Sequence, residues 1–261
     1  TTEIYTLSLH DALPISNYIK DHPDKAAINF LGVPNPYLVN TMELVDGELG
    51  QRLLAMIEAI ARDYPVDSVS ITELIYHRDG YGPAEKAAYL AYTGRSDWPR
   101  NSKGQIDIDE PSIGQWRSYE LGRFFQKASA ITHKYGKEFF MDVDVSWGHL
   151  QDATRENGTQ YDTVLKYADK IVVWAYYDIA NYPPEYLTEL AKSLVKYGTD
   201  KVILSVGLWN STETAAITPD SMRRAILASE AGGMPNVWIT PTILMTDQHW
   251  QVLYDLWGPK N

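Results

Sequence analysis

The sequence predicts an α/β fold, an incomplete (β/α)8 barrel with six β-α units. Short runs of β-branched and aromatic residues alternate with longer amphipathic patterns, which is typical of parallel strands joined by helices. The strand runs are almost continuously apolar, as in parallel strands covered on both faces. Acidic and aromatic residues collect where these runs end, where barrel enzymes carry their sites. They are Glu73, Asp142, Asp144, Trp174, Tyr176 and Trp209.

Six β-α units follow one another, and a further short helix lies in the excursion after the second strand. Strands are expected at 27–32, 67–76, 137–148, 170–178, 201–209 and 236–244. Helices are expected at 46–64, 83–92, 111–136, 159–168, 183–198, 218–233 and 246–258. Thr218 followed by Pro219 is a typical helix start, and Gly136 a typical end. An open doubly wound sheet is the alternative, but no glycine-rich dinucleotide loop follows any strand.

Composition limits the function classes. The net charge of −11 argues against a nucleic-acid partner, and no apolar run reaches the roughly 20 residues that membrane insertion needs. The six histidines are scattered and cysteine is absent, so neither a metal nor another cofactor is expected. The 8 tryptophans and 18 tyrosines suit stacking on sugars. Oligomeric state stays open, and so does the compartment, with secretion or the periplasm as options.

Three carboxylates are the catalytic candidates. Glu73 lies near the end of the second expected strand, in SITELIY, where a buried carboxylate is costly unless paired or functional. Asp142 and Asp144 lie in FFMDVDVSWG, where the period of two would place them on one strand face. A pair of carboxylates is what glycoside hydrolysis requires. Structural ion pairing is the alternative for each.

Candidate substrate-binding residues surround these carboxylates in the sequence. They are Tyr76, His77, Arg78, Trp98, Arg117, Trp147, Trp174, Tyr176 and Trp209. The stretch from residue 77 to 110 is a long excursion that could form one wall of a cleft. Core packing is the alternative for the aromatic residues. A structural salt bridge is the alternative for Arg117.

The runs HPDKAAINF, YPVDSVSITELIY, KEFFMDV and YADKIVVWAYY occur in an order that resembles the family-10-like glycosylhydrolases, bacterial TIM-barrel glycosidases. The resemblance covers residues 21 to 177. It implies that SITELIY is barrel strand four, so that the chain holds strands three to eight. In that family this strand reads D-G-I-h-F-D-D, and its two final aspartates fall on Thr72 and Glu73. One carboxylate of the usual pair is therefore absent.

Residues 1–15, TTEIYTLSLHDALPI, resemble the in-frame translation of a sequencing adapter. We therefore expect a leader at 1–16 that contributes nothing to the fold, docks poorly and leaves strands three and eight as open edges. His10 and Asp11 would carry no chemistry. The native part, residues 17–261, would be a partial barrel that lacks strands one and two.

The sequence favours a glycoside hydrolase that acts on a polysaccharide by carboxylate acid/base catalysis. Glu73 would be the proton donor or nucleophile, with Asp144 or Asp142 as its partner. Two alternatives stay open. One is a catalytically inactive barrel that binds glycans, and the other is a barrel enzyme of another type, such as a lyase.

Overall fold

A computed structural model describes residues 4–8 and 15–259 of the chain. It divides into two compact units. The first comprises residues 1–143 and 153–169, and the second comprises residues 144–152 and 170–261. Both contain parallel strands followed by helices, which confirms the predicted α/β class.

The first unit holds five strands and six helices among its described residues. The strands are β1 (Ile4–Ser8), β2 (Ala26–Ile28), β3 (Pro34–Val39), β4 (Ser68–Thr72) and β5 (Glu138–Val143). The helices are α1 (Ile15–Asp21), α2 (Thr41–Val45), α3 (Glu48–Asp63), α4 (Pro83–Thr93), α5 (Pro111–Lys134) and α6 (Tyr161–Val164). Helix α3 buries Leu49, Leu53 and Ile57 on one face, as its periodicity predicts.

The expected strand at 27–32 is not a barrel strand. Residues 26–28 form β2, which pairs antiparallel with β3 in a separate two-stranded sheet. Asn29 turns the chain back, because its side-chain oxygen accepts the backbone N–H groups of Leu31 and Val33 at 2.9 and 3.0 Å. The prediction was wrong because an apolar run does not reveal which strand it pairs with.

Residues 4–8 occupy the sheet position expected for residues 27–32. Strand β1 pairs in parallel with β4 over five residues, from Ile4 opposite Ser68 to Ser8 opposite Thr72. The prediction that this segment docks poorly was therefore wrong. An uncovered strand edge recruits any extended segment that can satisfy its backbone groups, whatever the origin of that segment. His10 and Asp11 lie outside the described residues.

Among its described residues, the second unit holds three strands and three α-helices. Strands β6 (Lys170–Ala175), β7 (Val202–Gly207) and β8 (Val237–Thr240) are parallel, with β7 between the other two. The helices are α7 (Leu187–Leu194), α8 (Pro219–Ala231) and α9 (Asp247–Trp257). The Thr218 hydroxyl caps α8 by accepting the N–H of Ser221 at 3.1 Å, which confirms the predicted helix start.

Several strands end earlier than the sequence suggests. Strand β4 stops at Thr72 because Glu73 has a left-handed backbone with φ of 65°. Strand β5 stops at Val143, so Asp144 and Ser146 do not extend the face that carries Asp142. The expectation that a period of two places Asp142 and Asp144 on one strand face was therefore wrong.

Candidate functional site

A polar face of β4 and β5 forms one part of the site in the first unit. Ser68, Ser70 and Thr72 share this face of β4 and are buried, whereas the alternating Val69 and Ile71 are apolar. Strand β5 continues the face at Asp142, whose Oδ1 accepts the Ser70 hydroxyl at 2.6 Å. The structure therefore places Asp142 on a polar strip of the sheet, near the carboxyl end of β5.

Glu73 stands immediately after this strip, at the carboxyl end of β4. Its side chain is half-buried, and its φ of 65° is uncommon for a residue other than glycine. Such a conformation costs about 1–2 kcal/mol relative to the ordinary right-handed region. Strained residues of this kind concentrate at functional sites, which makes Glu73 the strongest catalytic candidate of the first unit.

The loop after β4 carries His77, whose φ is 34°. Its backbone N–H donates to Oδ1 of the buried Asn157 at 2.6 Å. Its Nδ1 lies 3.3 Å from Oε1 of Glu156. Both partners belong to the short 3-10 helix Arg155–Asn157, so the side of the loop at His77 is attached to this turn.

The hairpin of β2 and β3 holds the other side of the same loop. The carbonyl of Arg78 accepts the N–H of Phe30 at 3.0 Å, and the Arg78 guanidinium lies 4.7 Å from the centre of the Phe30 ring. The side-chain amide of Asn35 donates to Oδ2 of Asp79 at 3.1 Å. Arg78 is exposed and therefore accessible to a ligand.

Arg117 lies under the loop and is fully buried. Its guanidinium donates to the carbonyls of Asp79 at 2.9 Å and Gly80 at 3.1 Å, and also to the carbonyl of Glu156. It also lies 5.2 Å from the centre of the Tyr76 ring, which has no exposed surface. Direct substrate contact by Arg117 and Tyr76 stays a prediction, but in this structure both side chains are hidden beneath the loop.

The pKa values of two loop carboxyls move in opposite directions. Burial raises the pKa of Asp79, and the Asn35 amide and the Arg117 charge offset only part of this effect. Burial also disfavours the charged form of Glu156, but the adjoining His77 and the charge of Arg117 outweigh it and hold the pKa of Glu156 below its usual range. Divergent carboxyl pKa values are typical of acid/base sites.

Trp98 lies in a small core formed by the excursion after β4. It stacks on Tyr89 with ring centres 4.3 Å apart and contacts Trp116 edge-on at 5.8 Å. Only 4% of Trp98 is exposed, because Tyr81 and Ile113 complete this cluster. A substrate contact by Trp98 stays a prediction, whereas the observed packing accounts for its burial.

An aromatic surface lies at the carboxyl ends of β6 and β7 in the second unit. Trp174 and Tyr176 stack with ring centres 5.7 Å apart, and Trp209 meets Tyr176 at 5.2 Å. Gly207 makes this possible, since a Cβ there would lie 2.5 Å from the Tyr176 ring. All three aromatic side chains are half-buried, so each keeps some surface for a ligand.

The segment of residues 144–152 also belongs to the second unit. Asp144 is half-buried at its start. Trp147 stacks on Tyr182 with ring centres 5.1 Å apart, and Tyr182 stacks on Tyr186 at 4.4 Å. The three rings form a half-buried column, of which the sequence analysis identified only Trp147. Among the described residues, no group of three histidines or acidic residues is arranged to hold a metal ion, and no helix has the length and apolar character for a membrane span.

Comparisons of the whole fold identify similar solved structures. The glycoside hydrolase domain of PgaB (BpsB) from Bordetella bronchiseptica matches 87% of this chain and 66% of its own length, with a TM-score of 0.64 and 15% identity. A class V chitinase from Pseudomonas fluorescens Pf-5 matches 98% of this chain and 90% of its own, with a TM-score of 0.56 and 10% identity. The spore cortex-lytic enzyme SleL from Bacillus megaterium QM B1551 matches 97% and 73%, with a TM-score of 0.51 and 10% identity.

No family model matches the sequence, and no curated protein does. The likeness to solved structures therefore establishes the fold, an α/β architecture that also occurs in glycoside hydrolases. At these identities the likeness assigns no residue role.

Sequence reasoning missed Asn157 and Glu156, which hold His77. Their signal was the dipeptide Asn157-Gly158, whose glycine favours a tight turn. Gly158 has φ of 76°, and a Cβ there would lie 2.7 Å from the Arg117 side chain. A turn that only glycine allows, beside a buried arginine, indicates a fixed loop.

Proposed function

We propose that this chain is a glycoside hydrolase domain that acts on a polysaccharide. The observation that carries the proposal is a pair of carboxylates at the carboxyl ends of two adjacent strands of the first unit. Glu73 directly follows β4, and Asp142 is the penultimate residue of β5. In barrel enzymes, catalytic residues come from the carboxyl ends of different strands. The similar structures include a glycoside hydrolase domain and a chitinase, which supports this reaction class.

In this proposal Glu73 acts as a carboxylate base or nucleophile, or as the proton donor. Asp142, in the same unit, is its partner, and the Ser70 hydroxyl holds one oxygen of Asp142. The separation of the two acting carboxylates decides between retention and inversion, with about 5 Å typical of retaining enzymes. Trp174, Tyr176 and Trp209 bind sugar rings by stacking.

The test uses Glu73→Gln and Glu73→Gly, with Glu213→Gly as the matched control. Glu213 is an exposed glutamate in the second unit, and its φ of 56° resembles that of Glu73. Both glycine variants relieve left-handed strain, so each should be as stable as the parent chain or more stable. Only the two Glu73 variants should lose turnover, by at least about a hundredfold.

Turnover is measured as reducing ends released from chitin and from a panel of bacterial and plant polysaccharides. Unchanged turnover in Glu73→Gln would refute the role of Glu73. Retained glycan affinity with no release of reducing ends by the parent chain would instead identify an inactive glycan-binding barrel, which the half-buried aromatic surface of the second unit also favours. Release of unsaturated products would identify a lyase.

The barrel with two further strands and the adapter origin of residues 1–15 are likewise proposals. The upstream gene sequence tests the first proposal. The same 15 residues in independent homologues would overturn the second.

A further inference from the structure

We propose that His77 and Glu156 form a carboxylate–imidazole dyad in which His77 is the proton donor of glycosidic cleavage. This inference rests on the proposed hydrolase function. It assigns the donor role to His77 and leaves Glu73 as the ionised carboxylate. Glu156 is a positioning residue, because it acts through the imidazole.

The geometry of the pair orients the ring. Nδ1 of His77 lies 3.3 Å from Oε1 of Glu156, and the Glu156 side chain is only 12% exposed. A carboxylate at this distance favours the proton on Nδ1 and stabilises the imidazolium form. The His77 side chain is 55% exposed, so a ligand can reach the ring.

The backbone of His77 is held in an unusual conformation. Its φ of 34° lies in the left-handed region, and the hydrogen bond from its N–H to the buried Asn157 fixes it there. Strained residues other than glycine concentrate at functional sites, which supports a chemical role for this ring. Asn157 and Glu156 are adjacent in sequence, so one turn fixes both the backbone and the ring of His77.

One buried cation fixes both sides of the dyad. Arg117 donates to the carbonyl of Glu156 and to the carbonyl of Asp79, two residues beyond His77. The charged groups near the dyad include Glu156 from the 155–157 turn, Asp79 from the same loop and Arg117 from α5. Since Arg117 binds carbonyl oxygens, the Glu156 carboxylate stays directed toward His77.

The chemical step balances with these groups. The imidazolium of His77 gives a proton to the glycosidic oxygen as the bond from that oxygen to the anomeric carbon breaks. Water adds its hydroxide to the anomeric carbon and gives its remaining proton to the Glu73 carboxylate. That proton returns to His77 through solvent and restores both groups. His77 is four positions after Glu73, so their Cα atoms are at most about 14 Å apart.

The first experiment measures proton binding by His77 directly. The Cε1–H signal of His77 in the full chain is assigned by its loss in His77→Asn, a substitution that tolerates left-handed backbone. Glu156→Gln removes the charge and keeps the shape, and should lower the proton affinity of His77 by about tenfold. Glu185→Gln, which alters an exposed carboxylate paired with Arg224, should leave it unchanged. No change in Glu156→Gln would overturn the dyad.

The second experiment measures hydrolysis across pH. For a proton donor, the rate falls as the pH rises through its pKa, and this fall is the alkaline limb of the pH–rate profile. In Glu156→Gln the alkaline limb should move to lower pH by the same tenfold change in proton concentration. His77→Asn should abolish the limb and most of the turnover. An active parent chain with an unmoved limb would overturn the donor role alone. A parent chain that hydrolyses no glycan would refute the proposed function, and the donor role with it.

Discussion

Replacing Arg117 by methionine tests whether one buried cation holds the loop after β4. The side chain has no exposed surface, and its guanidinium donates to the carbonyls of Asp79, Gly80 and Glu156. Methionine fills much of the same volume but donates no hydrogen bond, so the three carbonyls would lose their partner.

The expected magnitude follows from these contacts. Hydrogen bonds from a charged donor contribute about 1.5–3 kcal/mol each, and part of that gain is offset by the cost of burying the guanidinium. Removing one partner of a buried charged network costs about 3–5 kcal/mol in measured cases. Arg117→Met should therefore lower the free energy of unfolding by about 3–5 kcal/mol.

Urea denaturation followed by circular dichroism measures this change. The control is Arg62→Met, because Arg62 is 52% exposed and pairs with the exposed Asp63. It should cost less than about 1 kcal/mol. A loss below about 1 kcal/mol in Arg117→Met would refute the argument, since it would mean that water or neighbouring donors replace the guanidinium at all three carbonyls.

Three further predictions concern other parts of the chain. Burial disfavours the charged form of Glu43, but the Leu49 amide, the Tyr18 hydroxyl and Lys25 outweigh it and hold the pKa of this carboxyl below its usual range. The stability that the ionised Glu43 contributes is therefore lost as the pH falls through its pKa in the folded state. Between about pH 5 and 3 the free energy of unfolding should drop more in the parent chain than in Glu43→Gln. Trp98→Ala should lower the free energy of unfolding by about 3–5 kcal/mol in the same urea assay. The control is Tyr92→Ala, because Tyr92 is 44% exposed, and it should lower this free energy by less than about 1 kcal/mol. Deleting residues 1–14 removes β1, so light scattering should show increased self-association through the bare edge of β4; monomeric behaviour would argue against edge protection.

Strand and helix periodicity predicted most elements of the fold, because local burial alone decides them. Helix α5 was expected at 111–136 and spans Pro111–Lys134. Pairing partners could not be predicted in the same way. Residues 26–28 are as apolar as a barrel strand, but the Asn29 turn brings the chain back on itself, and the β4 edge is taken by residues 4–8.

The candidate site was predictable in part for a similar reason. A carboxylate at the end of a buried run, such as Glu73, is visible in the sequence. Its backbone conformation is not, because the left-handed φ at Glu73 and His77 depends on contacts distant in sequence, including Asn157. The sequence makes Arg117 a substrate-binding candidate, but the carbonyls that surround it come from loops that only the fold brings together.

Two left-handed residues other than glycine in the loop after β4 suggest why this loop is anchored so extensively. Glu73 ends the strand and His77 follows four residues later, and each conformation is costly for a side chain other than glycine. Replacing either by glycine would relieve that cost, yet the chain keeps a carboxylate and an imidazole there and stabilises the loop from Asn35, Arg117 and Asn157. The balance of strain and support therefore favours a chemical role for both side chains.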